Sequence, residues 1–275
     1  MKNILFGLFL LISFPVCSQY YYKDLVSTRQ TAQQFSLLKK AGVKKLVLHS
    51  TDGSSGEAAG FDIEQVLDAS RNTLTTITKT PDLGNSYLVA TYNAADQLVS
   101  TTDSAENAIN VTNFSYDAAG RILAINSSSR SDNIANTESH LYTYNEQGQP
   151  ISLLRIRNGK DSSQVQFLPD ENGRVGEEKT IKSTLPTPSY YYYHDANGKL
   201  TDIVRFNVRA ARMLPDYIFE YNAEGQLKKT TIVPEGSNEY QVWYYQYSPD
   251  GLRKMDLVYN KKQQLMGKVE YEYSR

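Results

Sequence analysis

The chain repeats one short word. Tyr116-Asp117-Ala118-Ala119-Gly120-Arg121-Ile122 returns as Tyr144-Asn145-Glu146-Gln147-Gly148 and as Tyr221-Asn222-Ala223-Glu224-Gly225-Gln226-Leu227, with worn copies from residue 61 to the C-terminus. Such periodicity outranks local secondary-structure signals, because each copy is one structural unit that buries its apolar face only by stacking on its neighbours. Aligned on the glycine, the series is Gln65, Asp96, Gly120, Gly148, Gly173, Gly198, Gly225 and Gly251, nearly even in its spacing after a longer first step. One more unit, Tyr259 to Leu265, follows after only half the usual step. That half step places the last tight turn at the opposite end of its strands.

Each word has a mechanical reading. Asp117, Asn145, Asp170, Asp195, Asn222 or Ser248 opens a four-residue turn, where its side chain accepts hydrogen bonds from the backbone ahead. The glycine three positions later takes a positive φ, as a type I turn with a bulged hairpin exit requires. Pro249 falls at the second turn position, where the turn wants the φ that a proline ring imposes. Flanking residues alternate as strands do: Phe114 with Tyr116, Tyr142 with Tyr144 and Phe219 with Tyr221 share a face, while Ser115, Thr143 and Glu220 point the other way. Ile122, Val175, Leu200 and Leu227 each lie two places beyond the turn glycine.

The fold class is therefore all-β: an antiparallel meander of hairpins forming a curved or partly closed sheet, with one N-terminal capping helix. The helix is read over Asp24–Ala41, with Lys39 and Lys40 in its last turn and Gly42 as its stop, followed by a strand at Val43–His49. Asn126–Asn136, Asn158–Ser163, Ser183–Ser189 and Pro234–Asn238 read as longer loops at the other end. Residues 1–18 form a secretory signal, 19–60 the helix and first strand as a cap, and 61–275 the repeat domain.

The signal reading rests on Lys2 and on the apolar run Ile4–Phe14, which is too short to remain as a membrane span. Cleavage after Ser18 frees the chain; acylation of Cys17 instead would tether it to a membrane. Either way the single cysteine forms no disulfide, although the compartment is periplasmic or outer-membrane-associated and oxidising. A net charge of −1 with no basic block argues against a nucleic-acid partner.

The Tyr-Asp units resemble the YD repeats of the Rhs family, as in His194-Asp195-Ala196-Asn197-Gly198-Lys199-Leu200. In large Rhs proteins the resemblance implies a spiral β-shell around a toxin. The roughly sixteen strands expected here are too few to enclose such cargo. The chain is more similar to small exported repeat proteins of Bacteroidota, for which the resemblance implies an architecture and no defined activity.

Reactive motifs do not emerge. His49, His140 and His194 lack metal-ligand spacing, so no metal or cofactor is expected. Most carboxylates fall inside turns, so no catalytic residues are assigned and the chain is not read as an enzyme. The pattern is overwritten at Tyr190-Tyr191-Tyr192-Tyr193 and at Tyr240–Tyr247, where both strand faces carry aromatics. Tyr191, Tyr193, Trp243 and Tyr245 are the candidate binding residues, for a protein partner in the cell envelope or for a glycan. A carbohydrate-active protein using loop carboxylates is the alternative, and extra core beneath the helix is the structural explanation.

Overall fold

A computed structural model describes residues 20–275 except 54, 57–61, 81–83, 106, 133, 183–187, 208–210 and 235–238. The signal segment, Cys17 and most of Ser183–Ser189 and Pro234–Asn238 lie outside the described residues. Among the described residues one helix, α1 (Tyr21–Lys40), precedes eighteen strands. These are β1 (Lys45–Asp52), β2 (Asp62–Asp68), β3 (Thr73–Thr80), β4 (Gly84–Tyr92), β5 (Leu98–Ala105), β6 (Ala108–Tyr116), β7 (Ile122–Ser131), β8 (Ile134–Tyr144) and β9 (Pro150–Arg157). The chain continues through β10 (Asp161–Pro169), β11 (Val175–Lys182), β12 (Tyr190–His194), β13 (Leu200–Asn207), β14 (Arg212–Tyr221), β15 (Leu227–Ile232), β16 (Gln241–Tyr247), β17 (Arg253–Asn260) and β18 (Leu265–Ser274).

Every strand pairs antiparallel with its successor, and β18 pairs back onto β1 from Lys45↔Ser274 to Asp52↔Gly267. The meander is thus a closed barrel, which leaves no edge for another chain to extend. The first strand, grouped with the helix in the sequence reading, is in fact the stave that closes the ring. Its alternation explains this: Leu46, Leu48 and Ser50 are buried against Tyr273, Tyr271 and Val269 of β18, while Lys45 and His49 face out.

The turn chemistry follows the repeat. In the units opening at Asp117, Asp170 and Asp195, the carboxylate accepts the backbone N–H groups two and four residues ahead. Gly120, Gly173 and Gly198 sit at φ 77°, 77° and 81°. Asp96 and Gln263 occupy the same place at φ 57° and 59° without being glycine. The turn at Asn260–Gln264 lies at the far end of the barrel, as the half-length step predicts. The alignment of Gln65 as a turn position is corrected: it is buried in mid-strand, its amide on the Thr76 hydroxyl at 3.1 Å. The turn residue with positive φ in that unit is Asn72, and the step from Asn72 to Asp96 equals the step from Asp96 to Gly120.

The repeat's tyrosine has a second role. Tyr116, Tyr144, Tyr221 and Tyr247 donate their hydroxyls to the carbonyls of Leu98, Ile122, Leu200 and Leu227, at 2.6, 2.6, 2.8 and 2.8 Å. Each acceptor lies two places beyond the preceding turn glycine or its equivalent, so the hydroxyl stitches one hairpin to the last. A phenol buried beside the sheet needs such a partner, and the repeat supplies it at a fixed spacing.

Two predicted loops shrink. Asn126–Asn136 is mostly strand, because β7 runs to Ser131 and β8 begins at Ile134. Serine and threonine read as loop residues, yet here they pair across strands, Thr112 with Ser127 at 3.0 Å. Asn158–Ser163 reduces to a turn at 158–160 before β10.

The helix packs across the end of the barrel that carries the Asp-Gly turns. Its first turn meets Tyr142, Tyr190, Tyr192 and Tyr217, whereas Phe35 stacks on Tyr92 and Lys39 binds Asn72 and Asp96 on the other side. A helix of this length reaches about 30 Å, enough to bridge the mouth. Gly42 ends it as expected: its N–H bonds the Lys39 carbonyl, that of Val43 bonds Leu38, and φ is 68°. The N-terminus differs from the sequence reading, starting at Tyr21 with no capping side chain on Tyr20. The cap comes from Glu178, on β11.

Candidate functional site

The aromatic candidates separate onto two faces. On β12, Tyr190 and Tyr192 point inward and are buried, while Tyr191 is half-buried on the outer wall and Tyr193 stands there 51% exposed. On β16 the parity is reversed, with Trp243 buried, Tyr245 half-buried beside it, and Tyr244 outside. Tyr191, Tyr193, Trp243 and Tyr245 therefore form no common surface. Counting back from the turn glycine reveals the reason. Tyr193 lies five residues before Gly198, the place that outward Gln246 holds before Gly251, and Tyr192 matches Tyr245.

The two outward tyrosines do join a larger surface. Tyr191 pairs with Val204 and Val204 with Pro215; Tyr193 pairs with Asp202 and Asp202 with Ile218. In the next outward row Phe206 faces Met213, and these two are 50% and 40% exposed. Three adjacent strands thus present aromatic and aliphatic side chains outward together. Proline, phenylalanine and methionine in these outward rows break the polar pattern seen on neighbouring strands, a signal visible only once strand parity is known.

Elsewhere the wall mixes ion pairs with exposed aliphatic side chains, among them Ile109, Ile134, Ile181 and the directly paired Leu141 and Leu154. Lys45 pairs with Glu64, His49 with Glu272 at 2.9 Å, Lys229 with Glu220 and Lys268 with Glu270, all on outward positions. A wall standing in lipid needs an apolar outer band, with polar groups turned to the lumen. Here the buried apolar side chains lie inside, and the outer wall carries charged pairs and exposed aliphatic residues together. No described helix is long and apolar enough to cross a membrane.

Beneath α1 lies a polar cluster that the sequence reading missed. Glu178, 2% exposed, accepts the N–H groups of Tyr21 and Tyr22 at 3.2 and 2.9 Å and the Tyr192 hydroxyl at 2.7 Å. N–H groups of the first turn, which have no acceptor within the helix, and the positive end of the helix dipole meet its carboxylate there. Burial nevertheless pushes its pKa up to about 7, partly offset by those three donors. Beside it, His140 lies 2.7 Å from Glu138 and 3.5 Å from Asp24 of the helix, and Arg155 bonds Glu138 at 2.7 Å. Burial alone would lower the His140 pKa, but the two carboxylates outweigh it and raise it to about 9. Glu138 is correspondingly held at about 2 by His140 and Arg155 against the effect of burial. A third group joins Tyr20, Asp216 and Arg205, with bonds of 2.9 and 2.8 Å.

One signal could have found Glu178. Five places beyond each turn glycine the chain has Ile125, Leu153, Glu178, Ile203, Thr230 and Asp256, every one buried. A carboxylate at an inward aliphatic position marks a built polar site. His194, standing where other units have the tyrosine, packs its ring on Tyr22 and lies 3.8 Å from Asp170. Among the described residues no three His, Cys, Asp or Glu side chains group closely enough to hold a metal ion.

Comparison with known proteins agrees with the repeat. No curated protein matches the chain. Among solved structures, a porin-like protein from Bacteroides uniformis is similar at 9% identity and a TM-score of 0.40, over 84% of this chain and 98% of its own. A TcdB2–TccC3–Cdc42 structure is similar at 12% identity and a TM-score of 0.37, over 78% of this chain. The Photorhabdus luminescens Tc holotoxin pore is similar at 14% identity and 0.29, over 76%. This chain spans only 12% and 15% of the chains matched in those two assemblies. The sequence model of the RHS Repeat family matches residues 92–131, from the end of β4 to the end of β7. Residues 92–131 carry an RHS repeat, and the chain resembles RHS-repeat proteins in the units that build its barrel.

Proposed function

We propose that this chain is an exported, envelope-associated scaffold whose outer wall at β12–β14 binds a protein partner. The observation that carries the reading is three exposed side chains on adjacent strands, Tyr193 in one outward row and Phe206 facing Met213 two rows away, with Tyr191 and Pro215 in the row between. Exposed aromatic and methionine side chains near one another are enriched at the centre of protein interfaces. A carbohydrate-active role has weaker support, since Asp117, Asp170 and Asp195 are engaged by backbone N–H groups of their own turns.

The test is affinity capture from the source organism's envelope fraction with the wild-type chain and with a Tyr193→Ser, Phe206→Ser double variant. The reading expects a partner retained by the wild type and lost by the variant, while the unfolding midpoints agree within a few degrees. Recovery of the chain alone, or equal retention by both, would contradict it.

A further inference from the structure

Charge is divided unevenly around the outer wall. From β11 round to β3 the outward positions carry Glu177, Asp202, Lys229, Glu270, Lys45 and Glu64 among others. On β4–β10, among the described residues, Arg130 is the one charged side chain at an outward strand position. One outward row there runs Val89, Thr102, Val111, Ser128 and Thr137, each paired with the next. These strands do contain charges, but Asp103, Glu138, Arg155 and Asp161 lie on the inward parity, with buried Thr101 and His140 and with Ser163. Water-facing walls are built the other way, charge outward and leucine inward.

The leucines of this sector also stand outside. Leu141 on β8 pairs directly with Leu154 on β9, and they are 37% and 40% exposed. Leu123 on β7 and Ile151 on β9 are exposed beside them, at 42% and 43%, and Ser139, Thr143, Ser152 and Gln164 surround the group. An apolar centre with a neutral hydroxyl and amide rim is the anatomy of a protein interface. Seven strands about 4.8 Å apart, each some eight residues long, make a sector on the order of 30 by 25 Å, close to the roughly 800 Å² that one partner of a standard interface buries.

We infer that the outer face of β7–β9 is where two copies of this chain meet, across a two-fold axis passing near Leu141 and Leu154. In a two-fold contact a patch faces itself, so charges of one sign at its centre would oppose each other; a neutral patch meets its own copy without that cost. Closure of the ring leaves no free strand edge, so the copies join face to face through side chains. Other occupants fit less well. Outward rings for stacking a sugar are confined to Tyr87, three strands from Leu123, and a single arginine offers little to anionic headgroups. This face is separate from the one at β12–β14, so a dimer would present two copies of that second surface.

Sedimentation over a range of concentrations tests this with the chain purified after export, as wild type, as Leu141→Lys, Leu154→Lys and as Leu141→Glu, Leu154→Glu. The wild type is expected to be a dimer. Each charged variant alone is expected to self-associate at least about 100-fold more weakly, because like charges then face each other across the axis, while its unfolding midpoint measured as a monomer stays within a few degrees of the wild type's. An equal mixture of the two variants is expected to regain the dimer. A wild type that stays monomeric, variants that dimerise as well as the wild type, or a mixture that remains monomeric would each overturn the inference. Should either charged variant not fold, a Leu141→Ser, Leu154→Ser chain takes its place, with self-association expected to weaken by about tenfold or more; undiminished association would again overturn it. Loss of partner capture in the Tyr193→Ser, Phe206→Ser chain leaves this result untouched, so the two surfaces fail independently.

Discussion

Alanine at Phe167 is expected to lower the stability of the barrel by about 3–5 kcal/mol, the usual cost of removing a buried aromatic ring. The ring is 3% exposed, lies parallel to Tyr142 at 6.4 Å and meets Tyr22 of the helix at the same distance. It also pairs across the sheet with Glu178, so neighbouring polar groups stop the site from collapsing to fill the void. Urea denaturation followed by circular dichroism measures the effect. Phe167→Leu keeps most of the volume and is expected to cost under about 1.5 kcal/mol. A loss below about 1 kcal/mol for the alanine variant would mean that the interior is not packed as described.

Arg205 carries the second large effect. Its Nε donates to Asp216 at 2.8 Å, the two side chains are 10% and 6% exposed, and the Tyr20 hydroxyl reaches the other carboxylate oxygen at 2.9 Å. Arg205→Ala removes the guanidinium bonded to a buried carboxylate, and breaking a buried pair from one side costs about 3–5 kcal/mol. An Arg205→Met, Asp216→Leu pair removes both charges and is expected to regain most of that loss, since a buried ion pair adds little net stability over a well-packed apolar pair. The same urea series reads both. A double variant as unstable as the single one would show that the cost comes from lost packing and not from the loss of the ion pair.

These effects fall on residues that the repeat alone does not mark, whereas the architecture is written in local chemistry. Asp117 and Gly120 specify a turn by themselves, one through its side-chain acceptor and the other through its φ of 77°, and a turn at fixed spacing makes a meander. The helix stop at Gly42 was legible for the same reason. What escaped the sequence depends on partners far along the chain. Glu178 caps a helix 156 residues away at Tyr22, and β18 closes on β1 across more than two hundred residues. Misalignment at Gln65 arose because its turn, ending at Asn72, carries no glycine. The binding candidates mixed two faces because strand parity was not counted from each turn; once it is, only Tyr191 and Tyr193 remain on the outer wall.

Closure of the ring is the claim on which the docked helix, the sealed interior and the single outer wall all depend. Cysteines at His49 and Glu270, direct partners on β1 and β18 with outward side chains, test it in a chain where Cys17 is replaced by serine. Directly opposed antiparallel residues have Cα atoms about 4.5–5.5 Å apart, within reach of a disulfide. The closed barrel predicts an intramolecular disulfide on mild oxidation, formed in the monomer and independent of protein concentration. Thiols that stay free, or that link only between molecules, would show that β1 and β18 do not meet.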